Sequence, residues 1–438
     1  MKSLKILVPY PSSFDEVSNT SILFRKLLPV LQERATVTIM WLNYQPSKLF
    51  DLPKADSFIT LDIHNYKNAV ELVKKEKPDL IFAPPHEGFI DMSFSFSGKI
   101  LNIPVFTLAY YQLSSGTLDK IPTSSLLKSY LKRMSNDTVP SETHQYKKSK
   151  FRRGNFILFK FLFFLKTLFA CKFNFLKMLS ILSMVFKFYI SPPTKIDSRL
   201  AVDMHFTQNE SIKNEFIKSN IPISKIKVTG HPMFDDLLLE ENKLKDNKKS
   251  KTSSNKVRIL LAPLSFYEYG DWTKDQRDYV LKEIVKEIIK EKDSFSLTVK
   301  IHPTAALLDD YEKIIHSIDP NIKVFQNGNI EDFLYDTDVF ISYYSWSTAS
   351  MYALFHGVPI VICNFFGKLD DEMINRKLSL ECKDPSKLNK IIHQISSNNP
   401  ATKEKVDDYV TRFFYKSDGK SAKRIADSLF QLIEKNHN

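Results

Sequence analysis

Short apolar, β-branched runs alternate with helical segments along most of this chain, and that alternation constrains its fold more than any other feature. In the first hundred residues Lys5–Pro9, Thr36–Leu42, Leu80–Ala83 and Pro104–Leu108 read as strands. Ser21–Glu33 and Tyr66–Glu76 between them read as helices. The pattern resumes at Met204–Thr207, Glu210–Ser219 and Ile226–Thr229. A polar, low-complexity stretch, 240–255, separates this from a second run. There Val257–Ala262, Ser296–Ile301, Lys323–Phe325, Val339–Ser342 and Pro359–Cys363 read as strands. Asp275–Lys292, Ser347–Phe355 and Lys420–Lys435 read as helices. Strands interleaved with helices of this length imply βαβ units and parallel sheets. The expected fold is therefore α/β, with two Rossmann-like doubly wound domains. The expected division is 1–200 for the first, 201–412 for the second, and a final helix, 413–438, crossing back to the first. In such sheets ligands bind outside the C-terminal strand ends, which selects the loops to read for chemistry.

One region breaks the pattern. Residues 126–190 hold 13 Lys and Arg against two acids, so they carry +11 of the chain's +12. Within them, 151–190 has seven basic residues, no acid and 11 of the 34 phenylalanines. Lysines at 160, 166, 172 and 177 interrupt the run too often for a spanning helix. A nucleic-acid surface would pair its cations with stacking aromatics. Here the aromatics are Phe packed among Leu, Ile and Met, apart from Tyr189, which suits lipid better than bases. Two readings stay open for this basic, Phe-rich helical insertion, 120–195. One is a membrane-interfacial segment, with Arg152, Arg153 and Lys166 meeting anionic headgroups and Phe161, Phe163 and Phe164 entering the acyl boundary. The other is a core helix pair with snorkelling lysines. The start, Met1 to Pro9, has too short an apolar core for a cleavable leader and reads as a strand. The expected place of the protein is the cytoplasm, at the inner face of the cell membrane. Cys171, Cys363 and Cys382 form no C-x-x-C, so a disulfide framework or zinc site is not expected.

Glycine is scarce, with 10 in 438 residues, and neither a dinucleotide fingerprint nor a P-loop is present. Chemistry must come from other loops. Four in the second half gather polar and turn residues: Thr229-Gly230-His231-Pro232, Pro263-Leu264-Ser265, Lys300-Ile301-His302-Pro303, and Ser345-Trp346-Ser347-Thr348-Ala349-Ser350. The last opens a helix. More small hydroxyl residues stand there than one N-cap needs, so a phosphate role is expected at that N-terminus. Lys300 and His302 add charge and a donor two strands earlier. Gly230 and Gly357 are read as positive-φ turns or close approaches.

In this order and spacing, VTGHPMFDDL, KIHPT and SYYSWSTASMYALFHGVPIVI resemble the GT-B superfamily. The likeness is greatest to CDP-glycerol glycerophosphotransferase-like and capsular-polysaccharide transferases, with UDP-N-acetylglucosamine 2-epimerases as relatives. The resemblance covers about 200–435 and, loosely, 1–110. It implies that the second domain holds a nucleotide-activated sugar or polyol, with His302, Ser347 and Thr348 on its phosphates. It places Gly230 and His231 at the cleft, and Pro263 and Ser265 near the nucleotide. Where the transferases carry an aspartate this chain has Ser345, and where the epimerases carry paired glutamates it has Met351 and Tyr352. Where the transferases carry a His-Gly pair in the first domain, Tyr110-Tyr111-Gln112 stand before Gly116 without a histidine, so the resemblance assigns no base.

An inverting transfer needs a base for the acceptor hydroxyl. His86 and Glu87, directly after the strand at 80–83, are the first candidates, with Asp15 and Glu16 behind the first strand as the second pair. Asp336-Thr337-Asp338 looks like a metal-binding D-x-D but lies at a helix end leading into a strand, so no metal is expected there, and no cofactor beyond the nucleotide-activated donor. The expected activity is a metal-independent transfer of a sugar or polyol-phosphate to a membrane-held or lipid-linked acceptor, building a cell-surface polysaccharide or glycolipid. A sugar-nucleotide 2-epimerase and a non-catalytic nucleotide-sugar-binding relative are the alternatives. No nucleic-acid partner is expected.

Overall fold

A computed structural model describes residues 2–10, 19–44, 57–83, 89–109, 150–190, 202–218, 221–240, 256–268, 272–303, 306–343, 347–367 and 371–437. They form two compact units. The first takes the described residues within 1–111, 148–236 and 412–438, and the second those within 237–411.

The first unit is a seven-stranded sheet. Its strands are β1 (Lys2–Tyr10), β2 (Ala35–Asn43), β3 (Phe58–Asp62), β4 (Leu80–Phe82), β5 (Val105–Ala109), β6 (Met204–Thr207) and β7 (Ile226–Val228), in the order β3-β2-β1-β4-β5-β6-β7. Every pairing is parallel. The order reverses direction between β1 and β4, which is the doubly wound arrangement with its switch point there. This overturns the expected boundary at residue 200. β6 and β7 extend the first sheet, because Phe206 is needed in the core that Phe82 and Phe106 build.

Helices α1 (Asn19–Gln32), α2 (Ala69–Glu76) and α3 (Phe89–Leu101) flank this sheet. Sequence periodicity hides α3, since Phe94-Ser95-Phe96-Ser97 alternates with a strand's period of two. The serines are tolerated in a helix because Ser93 and Ser97 donate back to the carbonyls of Phe89 and Ser93, at 2.6 and 2.8 Å. Every residue from Ile90 to Gly98 is buried. A helix buried all round needs cover on both sides. The sheet covers one side of α3. The other is covered by α4 (Lys150–Ala170), followed by α5 (Phe175–Ile190).

That packing corrects two of the expected membrane residues. Phe163 and Phe164 are buried against Phe94, Met92 and Phe96. Phe161 is half-buried against Phe89, ring centroids 5.3 Å apart, and Lys166 is exposed. The side chains of Arg152 and Arg153 lie outside the described residues. Among those described, no helix is long and apolar enough to cross a membrane.

The second unit is built on β8 (Val257–Leu261), β9 (Phe295–Lys300), β10 (Lys323–Phe325), β11 (Val339–Tyr343), β12 (Ile360–Cys363) and β13 (Leu380–Cys382). Their order is β10-β9-β8-β11-β12-β13, again parallel throughout, with the switch between β8 and β11. Its helices include α8 (Lys274–Ile289), α9 (Leu308–His316), α11 (Thr348–Phe355) and α13 (Leu388–Ser397); α6 (Glu210–Lys218), α7 (Asp235–Glu240), α10 (Ile330–Leu334), α12 (Glu372–Asn375), α14 (Lys403–Phe414) and α15 (Ser421–His437) complete the described set. The α8 start is fixed by a capping box between Thr273 and Gln276. Ile259, Leu261, Val299, Ile341 and Val361 form the sheet side of one continuous core with α8 and α13.

Candidate functional site

In the second unit the sheet rule selects the loops after β8, β9 and β11. The β8 and β11 backbones are in register from Ile259 opposite Val339 to Leu261 opposite Ile341. The next N–H, of Ala262, donates to the Ile341 carbonyl at 2.9 Å. Pro263 and Ser265 follow at once on one strand, and Ser342 and Tyr343 on the other. Both loops therefore leave the sheet at its switch point.

Two hydroxyls there are notable. Ser265 and Ser342 are buried, and neither Oγ has a hydrogen-bond partner among the described residues. Buried hydroxyls are normally satisfied, so this pair, at the C-terminal strand ends, is the candidate for polar atoms that bind from outside. One oxygen of Glu268, in the same β8 loop, is likewise unsatisfied. Its other oxygen accepts from the Tyr311 hydroxyl at 3.0 Å. Burial raises the Glu268 pKa.

Glu268 belongs to a cluster that the sequence does not disclose. Arg277, 1% exposed, lies 3.7 Å from Glu268 and from Asp310, and 2.8 Å from Asp278. Its guanidinium sits over the rings of Tyr267 and Tyr311, at 4.6 and 5.2 Å. Tyr343, at the end of β11, stacks on Trp272, which contacts Phe266 and Phe366. These residues come from five elements, which is why no local motif announces them.

The loop after β11 opens α11. Ser347 is the N-cap: its Oγ accepts from the Ser350 N–H at 3.0 Å and lies 2.9 Å from the Ser350 hydroxyl. Those two serines thus have a structural task. Thr348 begins the helix, half-buried, where the first-turn N–H groups have no intrahelical acceptor and the dipole favours an anion. Ser345 lies outside the described residues. Gly357, past the end of α11, has φ +65, the left-handed turn expected of it.

At the end of β9, Lys300 is buried and its ammonium is held by the carbonyls of Ile301 and Gln326, at 3.1 and 2.8 Å. Much of its donor capacity therefore shapes the loop that carries His302. Burial, and then the Lys300 charge, lower the His302 pKa. A neutral imidazole keeps one N–H to donate.

Gly230 and His231, expected at the nucleotide cleft, have structural roles within the first unit. Gly230 has φ +80, and a Cβ there would lie 2.4 Å from Ser421 Oγ and 3.0 Å from the Phe414 carbonyl. His231 is 1% exposed, and its Nδ1 accepts from the Met233 N–H at 3.1 Å. Burial lowers its pKa to about 3. Phe234 packs edge-on against Phe414, centroids 4.7 Å apart. The GHPMFDD run thus anchors the chain's return through α14 and α15.

In the first sheet, the loops holding both candidate bases follow β1 and β4, the two strands flanking that switch point. Asp15, Glu16, His86 and Glu87 themselves lie outside the described residues. At the other end of the second sheet, Arg258 ties up the D-x-D pair. It donates to Asp338 through its backbone N–H, Nε and Nη2, each at 2.9 Å, and reaches Asp336 at 3.2 Å. Arg258 and Asp338 stand where β8 and β11 begin, away from the ligand-binding strand ends.

No family model matches the sequence, and no curated protein matches it. Solved structures do. The UDP-GlcNAc 2-epimerase from Methanocaldococcus jannaschii aligns with a TM-score of 0.52 at 14% identity, over 98% of this chain and 99% of that one. The glycotransferase of kitacinnamycin aligns with a TM-score of 0.51 at 9% identity, over 98% of both chains. The wall teichoic acid polymerase TagF aligns at 0.50 and 12% identity, over 99% of this chain and 89% of that one. Identities this low carry the architecture alone: two parallel-sheet α/β units, the GT-B fold that these epimerases and glycosyltransferases share.

Proposed function

We propose that this chain is an inverting transferase that moves a sugar or polyol-phosphate from a nucleotide-activated donor to a membrane-held or lipid-linked acceptor, at the inner face of the cell membrane, in cell-surface polysaccharide or glycolipid assembly. The observation that carries the donor half is the pair of buried, unsatisfied hydroxyls of Ser265 and Ser342 at the second sheet's switch point. Thr348 at the α11 start, after β11, and neutral His302, after β9, follow the two strands that flank β8. Together their O–H and N–H groups would hydrogen-bond and orient a departing diphosphate. The proposal needs no resident cofactor. The acceptor half rests on a base from the first sheet's switch-point loops, His86 with Glu87 before Asp15 with Glu16.

The epimerase reading has the solved epimerases of this fold in its favour. Against it, the positions of the paired glutamates hold Met351, fully buried in the core, and Tyr352. One experiment separates the readings. The protein is incubated with a panel of UDP-, CDP- and GDP-linked sugars and polyols, following both the melting temperature and the products. A donor that raises the melting temperature and loses its sugar or polyol-phosphate to an acceptor or to water supports transfer. Conversion of the sugar nucleotide to its 2-epimer replaces the transferase by an isomerase. A melting temperature unmoved by every nucleotide ends the donor-site assignment.

A further inference from the structure

The α4–α5 hairpin has two unlike faces. The inner one is core: Phe164, Leu168 and Cys171 of α4 and the turn after it pack with Met178 and Ile181 of α5 against Met92 and Phe96, and Phe163 packs against Phe94. Thr167 secures it, accepting the Ala69 N–H at 3.1 Å. The outer face runs along α4 as Leu158, Leu162, Lys166 and Phe169, at spacings of four, four and three. That spacing keeps them on one stripe of a helix. It continues over the turn at Lys172 to Phe175, Leu176, Lys177 and Leu179. Phe169, Phe175 and Leu176 are 67%, 72% and 76% exposed. Lys177 lies over the Phe173 ring at 4.3 Å.

A stripe of large, exposed apolar side chains around a hairpin tip is rare on a surface that meets only water. We infer that this outer face is a docking surface for an anionic bilayer. Phe169, Phe175, Leu176 and Leu179 would enter the acyl boundary, and Lys166, Lys172 and Lys177 would meet headgroup phosphates. The charge pattern selects this occupant. From 151 to 190 there are seven cations and no acid, so a second copy of the hairpin would set like charge against like. The remainder of the chain beyond 126–190 carries only +1 and offers no acidic excess to complement it. The exposed rings are phenylalanines flanked by leucines, which favours lipid over stacked bases. This inference deepens the membrane side of the proposed function and stands on the hairpin whatever group is transferred.

The test uses the full chain and sedimentation with vesicles of phosphatidylcholine, alone or mixed with phosphatidylglycerol. Binding is expected at least tenfold tighter to the mixed vesicles. The variant Phe169→Ser/Phe175→Ser/Leu176→Ser should lose that binding tenfold or more and keep the wild-type melting temperature, because these side chains are exposed. The variant Lys166→Gln/Lys172→Asn/Lys177→Gln should lose the preference for phosphatidylglycerol; asparagine suits position 172, where φ is +54. Equal binding to both vesicles, wild-type binding by the apolar variant, or a dimer or DNA complex abolished by these substitutions without any vesicle binding would each overturn the inference. A nucleotide-induced melting shift, measured in parallel, reports on the donor site alone. Failure of the hairpin and failure of the transferase reading are therefore distinct results.

Discussion

Asp235 Oδ2 accepts the backbone N–H of Ala422 at 2.8 Å, and its Oδ1 accepts that of Ser421 at 3.0 Å. A carboxylate 186 residues away thus caps α15, the last helix, whose Leu429 and Ile433 complete the core over β1 and β2. Burial raises the Asp235 pKa, against the lowering effect of the amides and Arg424. Asp235→Ala would leave two buried donors without an acceptor. It should cost about 2 kcal/mol or more. Denaturant titration should find that loss, with protease cleavage beginning near residue 412; unchanged stability would show that the cap contributes nothing.

His231 predicts an acid-labile first unit. Its pKa is lowered from 6.5 to about 3 by burial, and that of His205 to about 4, by burial and then the charge of Lys225. Below pH 6.5 the unfolded chain takes up protons that the folded chain refuses. The stability is thus complete above 6.5 and is lost as pH falls toward these folded values. Melting temperature should drop steadily through that window. His231→Asn keeps an acceptor for the Met233 N–H and cannot titrate, so its profile should be flatter than wild type. An identical slope would move the effect to other groups.

The fold was largely legible in the sequence because parallel strands buried on both faces are continuous apolar runs, such as Ile6-Leu7-Val8 and Ile360-Val361-Ile362. Two parts were not. α3 carries a strand's period because α4 covers its outer face and removes the polar stripe that a surface helix would show. The domain boundary was misplaced because β6 and β7 resemble any strand, and only the sheet order gives them to the first unit. The candidate site was half legible. Pro263, Ser265, His302 and the α11 start follow from the strand-end rule. In the GHPMFDD run the positive-φ turn at Gly230 is legible, but its close approach to Ser421 and the Phe414 carbonyl is not, because those residues stand far along the chain. The Glu268–Arg277 cluster joins positions far apart in sequence, and nothing local marks it.

Arg277 should be the most sensitive charged residue of the second unit. Arg277→Met removes the cation between Glu268, Asp278 and Asp310 and leaves Glu268 buried with its charge uncompensated. The expected loss is about 3–5 kcal/mol. Pairing it with Glu268→Gln should recover part of that loss, because the stranded charge goes as well. Simple additivity in a double-mutant cycle would show that the two side chains do not interact.

Ser265 separates a ligand site from a packing site. Most buried hydroxyls donate to a protein acceptor, and replacing them costs stability. Ser265 Oγ has no such partner among the described residues, so Ser265→Ala removes an unsatisfied polar atom. The melting temperature of the free protein should hold or rise. If the hydroxyl instead serves a nucleotide-activated donor, the same change should weaken donor binding by roughly tenfold, the worth of about one hydrogen bond to a charged group. Stability and affinity then move in opposite directions, which no packing defect produces. Ser347→Ala is the contrasting control: it deletes the α11 cap and should lower stability by about 1 kcal/mol even without ligand. A Ser265→Ala protein that melts early, or binds the donor as tightly as wild type, would remove Ser265 from the site.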